Sequence, residues 1–156
     1  MNKEQLIAQI ICQLQADLDM NIAAANEARE AATHEESVAE NQYDTLGLEA
    51  SYLAHGKSKR VQALEVNLAD YRNMPQREFS EDSAAGLGAL VIIENNDGTM
   101  KRLFSGPAGG GIQIGVGSET VFVITPQSPI GQALMGRYPG DIVKLPQGEF
   151  EITAVS

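Results

Sequence analysis

Carboxylates are the residues of this chain whose number and spacing point to chemistry. Between Glu27 and Glu49 there are seven acidic residues (Glu27, Glu30, Glu35, Glu36, Glu40, Asp44 and Glu49) against Arg29 alone. They crowd around Thr33–Tyr43, T-H-E-E-S-V-A-E-N-Q-Y, where one long helical pattern stops before a second begins. If the flanking helices pair antiparallel, Glu35, Glu36, Glu40 and Asp44 stand at the far tip of a hairpin. A tip is a poor place to build a pocket and a good place to present charge to a larger partner. The bland alternative is a solvated turn in which Glu40 and Asp44 favour the dipole of the helix that follows. His34 beside Glu35 and His55 in H-G-K-S-K-R read as surface residues.

Two helical patterns must position that tip. From Glu4 to about Ala32 there is no Gly or Pro, and alanine is abundant, which favours helix. Ile7, Ile11, Leu14, Leu18 and Ala25 fall at coiled-coil spacing, with polar Asn21 at the matching position where it can fix register. Ile22 is an alternative seam residue. About 30 helical residues span roughly 45 Å. Ala23–Ala32 carries no large apolar side chain, so a partner helix can approach closely there. Apolar periodicity resumes from Leu46 to Tyr71, through Leu46, Ala50 and Leu53, then Val61, Leu64, Leu68 and Tyr71. Gly47 and Gly56 are soft points, and Gly56 with Lys57, Lys59 and Arg60 predicts a local irregularity in one continuous helix. These three basic residues face either solvent, an acidic partner surface or nucleic acid. The arms match in length, which favours an antiparallel hairpin. The same seam could instead serve self-association.

The whole chain has 156 residues and a net charge of −10, which argues against direct attraction to nucleic-acid phosphates. Hydrophobic residues make up 43% but aromatics only 5%, without tryptophan, so any core is mainly aliphatic. Cys12 is the single cysteine, which excludes an internal disulfide or a thiolate-rich zinc site. It reads as a small packing residue in its apolar run. No signal-like block opens the chain and no apolar run approaches the ~20 residues that span a bilayer. The expectation is a soluble cytoplasmic monomer with no membrane contact.

Arg72–Gly88 reads as a linker, with Pro75, Ser80-Glu81-Asp82-Ser83 and Gly86-Leu87-Gly88. The period then becomes strand-like. Ala89–Glu94 and Thr99–Ser105 flank the hairpin turn Asn95-Asn96-Asp97-Gly98. Ile112–Ile114, Thr120–Thr125, Asp141–Leu145 and Glu149–Val155 are further strands. Gly109-Gly110-Gly111 lacks the lysine and following helix of a phosphate loop and reads as a tight loop. Before the last two strands, Ser128 as cap, Pro129 at the first position and Gly136 as stop specify a short helix. The fold class is α+β: residues 1–74 an antiparallel coiled-coil hairpin with an acidic tip, 75–88 a linker, and 89–156 an antiparallel sheet crossed by one short helix.

The run Ser128-Pro-Ile-Gly-Gln-Ala-Leu-Met-Gly136, continued by Gly140-Asp141-Ile142-Val143, resembles the signature of the Gre transcript-cleavage factors of bacterial RNA polymerase. The resemblance extends in outline over the whole chain and implies an FKBP-like C-terminal domain. It implies docking at the polymerase secondary channel, here through Ser128, Pro129, Gly131, Gly136 and Asp141. It also implies a tip that reaches down the channel to Mg²⁺ of the polymerase active centre, where backtracked RNA is hydrolysed. The chain then needs no cofactor of its own and meets nascent RNA only through the polymerase. Glu40-Asn41 matches the Glu-Asn pair of the family tip, and Tyr43 stands near its aromatic. Three positions before Glu40, where the family has an acid, this chain has Ser37; Glu36 lies one further back, with Glu35 beside it. The catalytic and metal-binding expectation therefore falls on Glu36 and Glu40, then Glu35 and Asp44. The alternative is a regulator that occupies the channel without cleaving. Prolyl isomerisation, which the FKBP-like fold raises, needs an aromatic-lined pocket, and Phe79, Phe104, Phe122, Tyr138 and Phe150 are a thin supply. No Ser-His-Asp pattern supports a self-contained hydrolase.

Overall fold

Asn2 starts the first helix. Its Oδ1 accepts from the backbone N–H groups of Glu4 and Gln5 at 2.9 and 3.3 Å, which satisfies two donors that helix geometry leaves open. Helix α1 then runs Lys3–Thr33 and helix α2 Leu46–Arg72 in a computed structural model that describes residues 1–33 and 46–156. The two form a helical hairpin. α2 passes through Gly47 and Gly56 without a break, so the irregularity expected around His55–Arg60 is absent. One helical glycine costs only about 1 kcal/mol relative to alanine, and buried Ala54, Leu64 and Leu68 on the same helix outweigh that. A Cβ at Gly56 would meet nothing within 4 Å. Gly56→Ala is therefore expected to raise stability by up to about 1 kcal/mol, read as a higher urea midpoint at unchanged slope.

The chain divides into two compact units, Met1–Ile11 with Ala69–Ser156, and Cys12–Leu68. In the second, Leu14, Leu18, Ala25 and Ala28 on α1 and Ala54, Leu64 and Leu68 on α2 are buried. Positions 14, 18 and 28 mirror 68, 64 and 54, as an antiparallel seam requires. Arg29 Nη2 donates to Ser58 Oγ at 2.7 Å across the hairpin. Three expectations about the seam need correction. Leu6 and Ile10 are buried where Ile7 and Ile11 were expected, and the latter two are only half-buried. Leu6 and Ile10 continue, in steps of four, the buried row that Leu14 and Leu18 carry further along α1. Cys12 is exposed, because two residues from both Ile10 and Leu14 is about 200° around a helix. Leu53 is 55% exposed while Ala54 is buried; at this level the buried seam positions are alanines, Ala25 and Ala28 on α1 and Ala54 on α2.

Six strands form one sheet in the order β3-β4-β2-β1-β6-β5. They are β1 Leu90–Asn95, β2 Met100–Ser105, β3 Gln113–Val116, β4 Glu119–Ile124, β5 Ile142–Leu145 and β6 Gly148–Val155, with helix α3 Pro129–Leu134 after β4. All neighbouring pairs are antiparallel except β2 with β4, which is parallel; the sheet is thus mixed and not wholly antiparallel. The chain leaves β2 by the glycine-rich loop and β3 and re-enters alongside β2, which no local pattern announces. One face buries Val91, Ile93, Leu103, Ile124, Phe150 and Ile152 against Leu134, Ala85 and Ala89, with Phe79, Ile130 and Met135 packed at its margin. On the other face Leu90, Phe104, Ile114, Val121 and Val123 are also buried. Burial on both faces explains the near-continuous apolar runs of β1 and β4. A bulge interrupts the β1–β6 register between Ile92 and Ile93. The β1–β2 turn closes through Asn95 and Asp97: the Asp97 carboxylate accepts from the Thr99 N–H and hydroxyl, which holds its pKa below the usual aspartate range.

Candidate functional site

The tip carboxylates Glu35, Glu36, Glu40 and Asp44, with His34, Ser37, Asn41 and Tyr43, lie outside the described residues. Their flanks are described. α1 has no basic residue in its last turn and α2 begins with Glu49 in its first. Arg29, the sole cation near the tip in sequence, donates to Asn26 Oδ1 and Ser58 Oγ, both neutral acceptors. Beside it on α2, Leu48, Tyr52 and Leu53 are 53%, 69% and 55% exposed. Leu48 and Tyr52, four residues apart, share one helix face. The sequence reading passed over these two because they lie off the seam; that offset was itself the available signal. His55, Lys59 and Arg60 are exposed and Lys57 is half-buried. Among the described residues no three His, Cys, Asp or Glu side chains come together as a metal site.

The signature element has a full structural explanation. Ser128 Oγ accepts from Gly131 N at 3.1 Å and donates to Thr125 O at 2.7 Å, capping α3 while fixing the turn before it. Pro129 occupies the first turn, where its missing N–H costs nothing. Gly131 is buried, and a Cβ there would sit 1.8 Å from Thr125 O. Gly136 takes φ 79° and donates to Ala85 O at 2.9 Å, and Ala85 N donates to Arg137 O. Asp141 Oδ2 accepts from Tyr138 N at 2.8 Å, and Asp141 O from Ile152 N. The element thus ties α3, the linker and β6 together. Around it Tyr138 and Ile142 are 52% and 57% exposed. These five positions build a rigid ledge, and its exposed side chains are the ones available for contact.

The glycine-rich loop is a socket. The Tyr71 hydroxyl donates to Ala108 O at 2.6 Å, and a Cβ on Gly106 would lie 2.1 Å from that hydroxyl oxygen. Tyr71 is 3% exposed, and burial pushes its phenol above the ordinary tyrosine range. A proton held more tightly when folded gives full stability below about pH 10 and a loss as pH rises past it. Tyr71→Phe is expected to flatten this alkaline decline and to cost about 1 kcal/mol near neutrality. Thermal melts at about pH 8 and about pH 11 test it; an unchanged alkaline slope would refute it.

A cleft of about 500 Å³ opens among Lys3, Ile7, Met74, Arg77, Phe79 and Ser156. Lys3 Nζ donates to Arg77 O and Gly88 O at 3.3 and 3.4 Å and lies 4.8 Å from the Phe79 ring centre. Burial lowers the Lys3 pKa, and the Glu78 charge partly restores it. Lys3 is therefore spent on tying the start of α1 to the linker.

No family model matches the chain, and no curated protein is similar to it. Among solved structures it is similar to GreA factor homolog 1 (Gfh1) of Thermus thermophilus, at 21% identity over 94% of each chain with a TM-score of 0.39. A second structure of the transcription factor Gfh1 is 24% identical over 93% of this chain and 92% of that one, TM-score 0.39. Gfh1 of Thermus aquaticus is 20% identical over 92% and 91%, TM-score 0.36.

Proposed function

We propose that the chain is a Gre-like transcription factor that binds bacterial RNA polymerase at its secondary channel and presents Glu36 and Glu40 to the active centre. The observation that carries this reading is the joint presence of S-P-I-G-Q-A-L-M-G with G-D-I-V in a sheet unit and a two-helix hairpin ahead of it. Each hairpin arm, at 31 and 27 residues, is about 40 Å or more long, a reach suited to a deep channel. In this role the ledge built by Ser128, Pro129, Gly131, Gly136 and Asp141 holds the docking surface in shape. Leu48 and Tyr52 supply apolar contact near the tip. Glu36 and Glu40, with Glu35 and Asp44 nearby, would add carboxylate oxygens to Mg²⁺ belonging to the polymerase. That ion would stabilise the charge developing in hydrolysis of backtracked RNA.

Ser37 favours a second reading. With Ser37 where the family has an acid, the second carboxylate is displaced by one position, about 100° if that stretch is helical. A factor with this tip could occupy the channel and regulate without cleaving. Stalled, backtracked complexes separate the two. Under the first reading the protein shortens the RNA, and Glu36→Gln with Glu40→Gln lowers the cleavage rate by about 100-fold or more, the scale of lost electrostatic stabilisation. Polymerase affinity stays unchanged. Saturating binding without shortened RNA selects the regulator, and absence of binding rejects both.

A further inference from the structure

The sheet carries an unneutralised pair of like charges at an interior position. β1 and β6 are both interior strands of the sheet, yet Glu94 lies directly opposite Glu151 across them. Directly opposed residues of antiparallel strands project from the same face with close Cβ atoms, and like charges there are unfavourable. The row continues on both sides. Met100 is opposite Glu94 and Ile142 opposite Glu151, and these apolar side chains are 47% and 57% exposed.

The cations nearest in the register are all engaged elsewhere. Arg102 pairs with Glu119, Lys144 with Glu149 at 3.9 Å, and Lys101 lies over the Phe150 ring at 5.4 Å. Among the described residues none pairs with Glu94 or Glu151. The buried side chains of this face, Leu90, Phe104, Val121 and Val123, sit toward the other end of the strands. The row Met100-Glu94-Glu151-Ile142 is what remains uncovered.

We propose that this row is a docking surface for a basic amphipathic helix of a protein partner, one in which lysine or arginine alternates with aliphatic side chains. Charge complementarity selects that occupant. Two adjacent carboxylates repel one another until a cation lies between them, and the flanking Met100 and Ile142 offer apolar contact at both ends of the row. An acidic or purely apolar segment would bury the pair uncompensated, which is costly. The surface lies apart from the hairpin tip and shares only Ile142 with the exposed rim of the α3 ledge.

The test titrates the full-length, isotope-labelled chain with a synthetic amphipathic lysine–leucine helix and follows backbone amide shifts. Perturbations are expected to centre on Glu94, Met100, Ile142 and Glu151. The pair Glu94→Gln with Glu151→Gln should weaken binding about tenfold more than Glu27→Gln with Glu30→Gln, which removes equal charge from the hairpin. Glu151→Lys should abolish binding while raising Tm by about 1–4 °C as the repulsion is relieved. Shifts centred on the hairpin, equal weakening by both double variants, or no binding at all would each overturn the proposal.

Discussion

Gly131→Ala is expected to be the most damaging single substitution in the sheet unit, costing about 4 kcal/mol or more, at the far end of point-mutant effects. The added methyl group would stand 1.8 Å from Thr125 O, inside any permitted contact. Neither partner can yield cheaply. Thr125 O accepts from the Ser128 hydroxyl and N–H, and Gly131 N and O are both committed, to Ser128 Oγ and Met135 N. Moving the turn would break the cap, shift Leu134 in the core and loosen the Gly136–Ala85 bond. Ser128→Ala supplies the graded control, since loss of a helix cap costs about 1 kcal/mol. Urea unfolding of both variants decides the matter. A Gly131→Ala midpoint as mild as that of Ser128→Ala would mean that the turn relaxes freely and that the ledge is not rigid.

The second large effect is a coupling. Gly106→Ala alone is expected to cost about 3 kcal/mol, the upper range for overpacking, because the new Cβ overlaps the Tyr71 hydroxyl and ring carbon at 2.1 and 2.9 Å. Tyr71→Ala alone should cost about 3–5 kcal/mol, as for other buried aromatics cut to alanine. Together they should cost little more than Tyr71→Ala by itself, since the methyl group then enters vacated space. A coupling energy of about 2–3 kcal/mol in the double-mutant cycle is the expected result. Additive costs would show that the loop does not gain its shape from the ring it receives.

How much of this was legible in the sequence differs by element. The helices were readable because their patterns are long and uninterrupted, and α3 because Ser128, Pro129 and Gly136 each have a strict local role. Strand positions followed from turn residues such as Asn95-Asn96-Asp97-Gly98, whose side chains close the turn themselves. Ile7 and Ile11 stand beside Leu6 and Ile10 in sequence and are equally apolar, so a four-three spacing and a four-four spacing both fit the start of α1, and the buried row follows the latter. The parallel β2–β4 pair and the socket for Tyr71 are long-range arrangements, and nothing within a few residues of Gly106 encodes the ring from α2. The opposition of Glu94 and Glu151 depends on register and the β6 bulge, so it too was invisible.

The boundary between the two units falls inside both long helices, after Ile11 and after Leu68, not at the proline-bearing segment further along. This has a bearing on modular exchange. Leu6, Ile10 and Tyr71 are buried members of the sheet-bearing unit although they are spelled within the helical arms. A chimera joined at Pro75 would strip them away and leave an apolar wound. One spliced at positions 12 and 68 would transplant the probe alone and keep the platform whole.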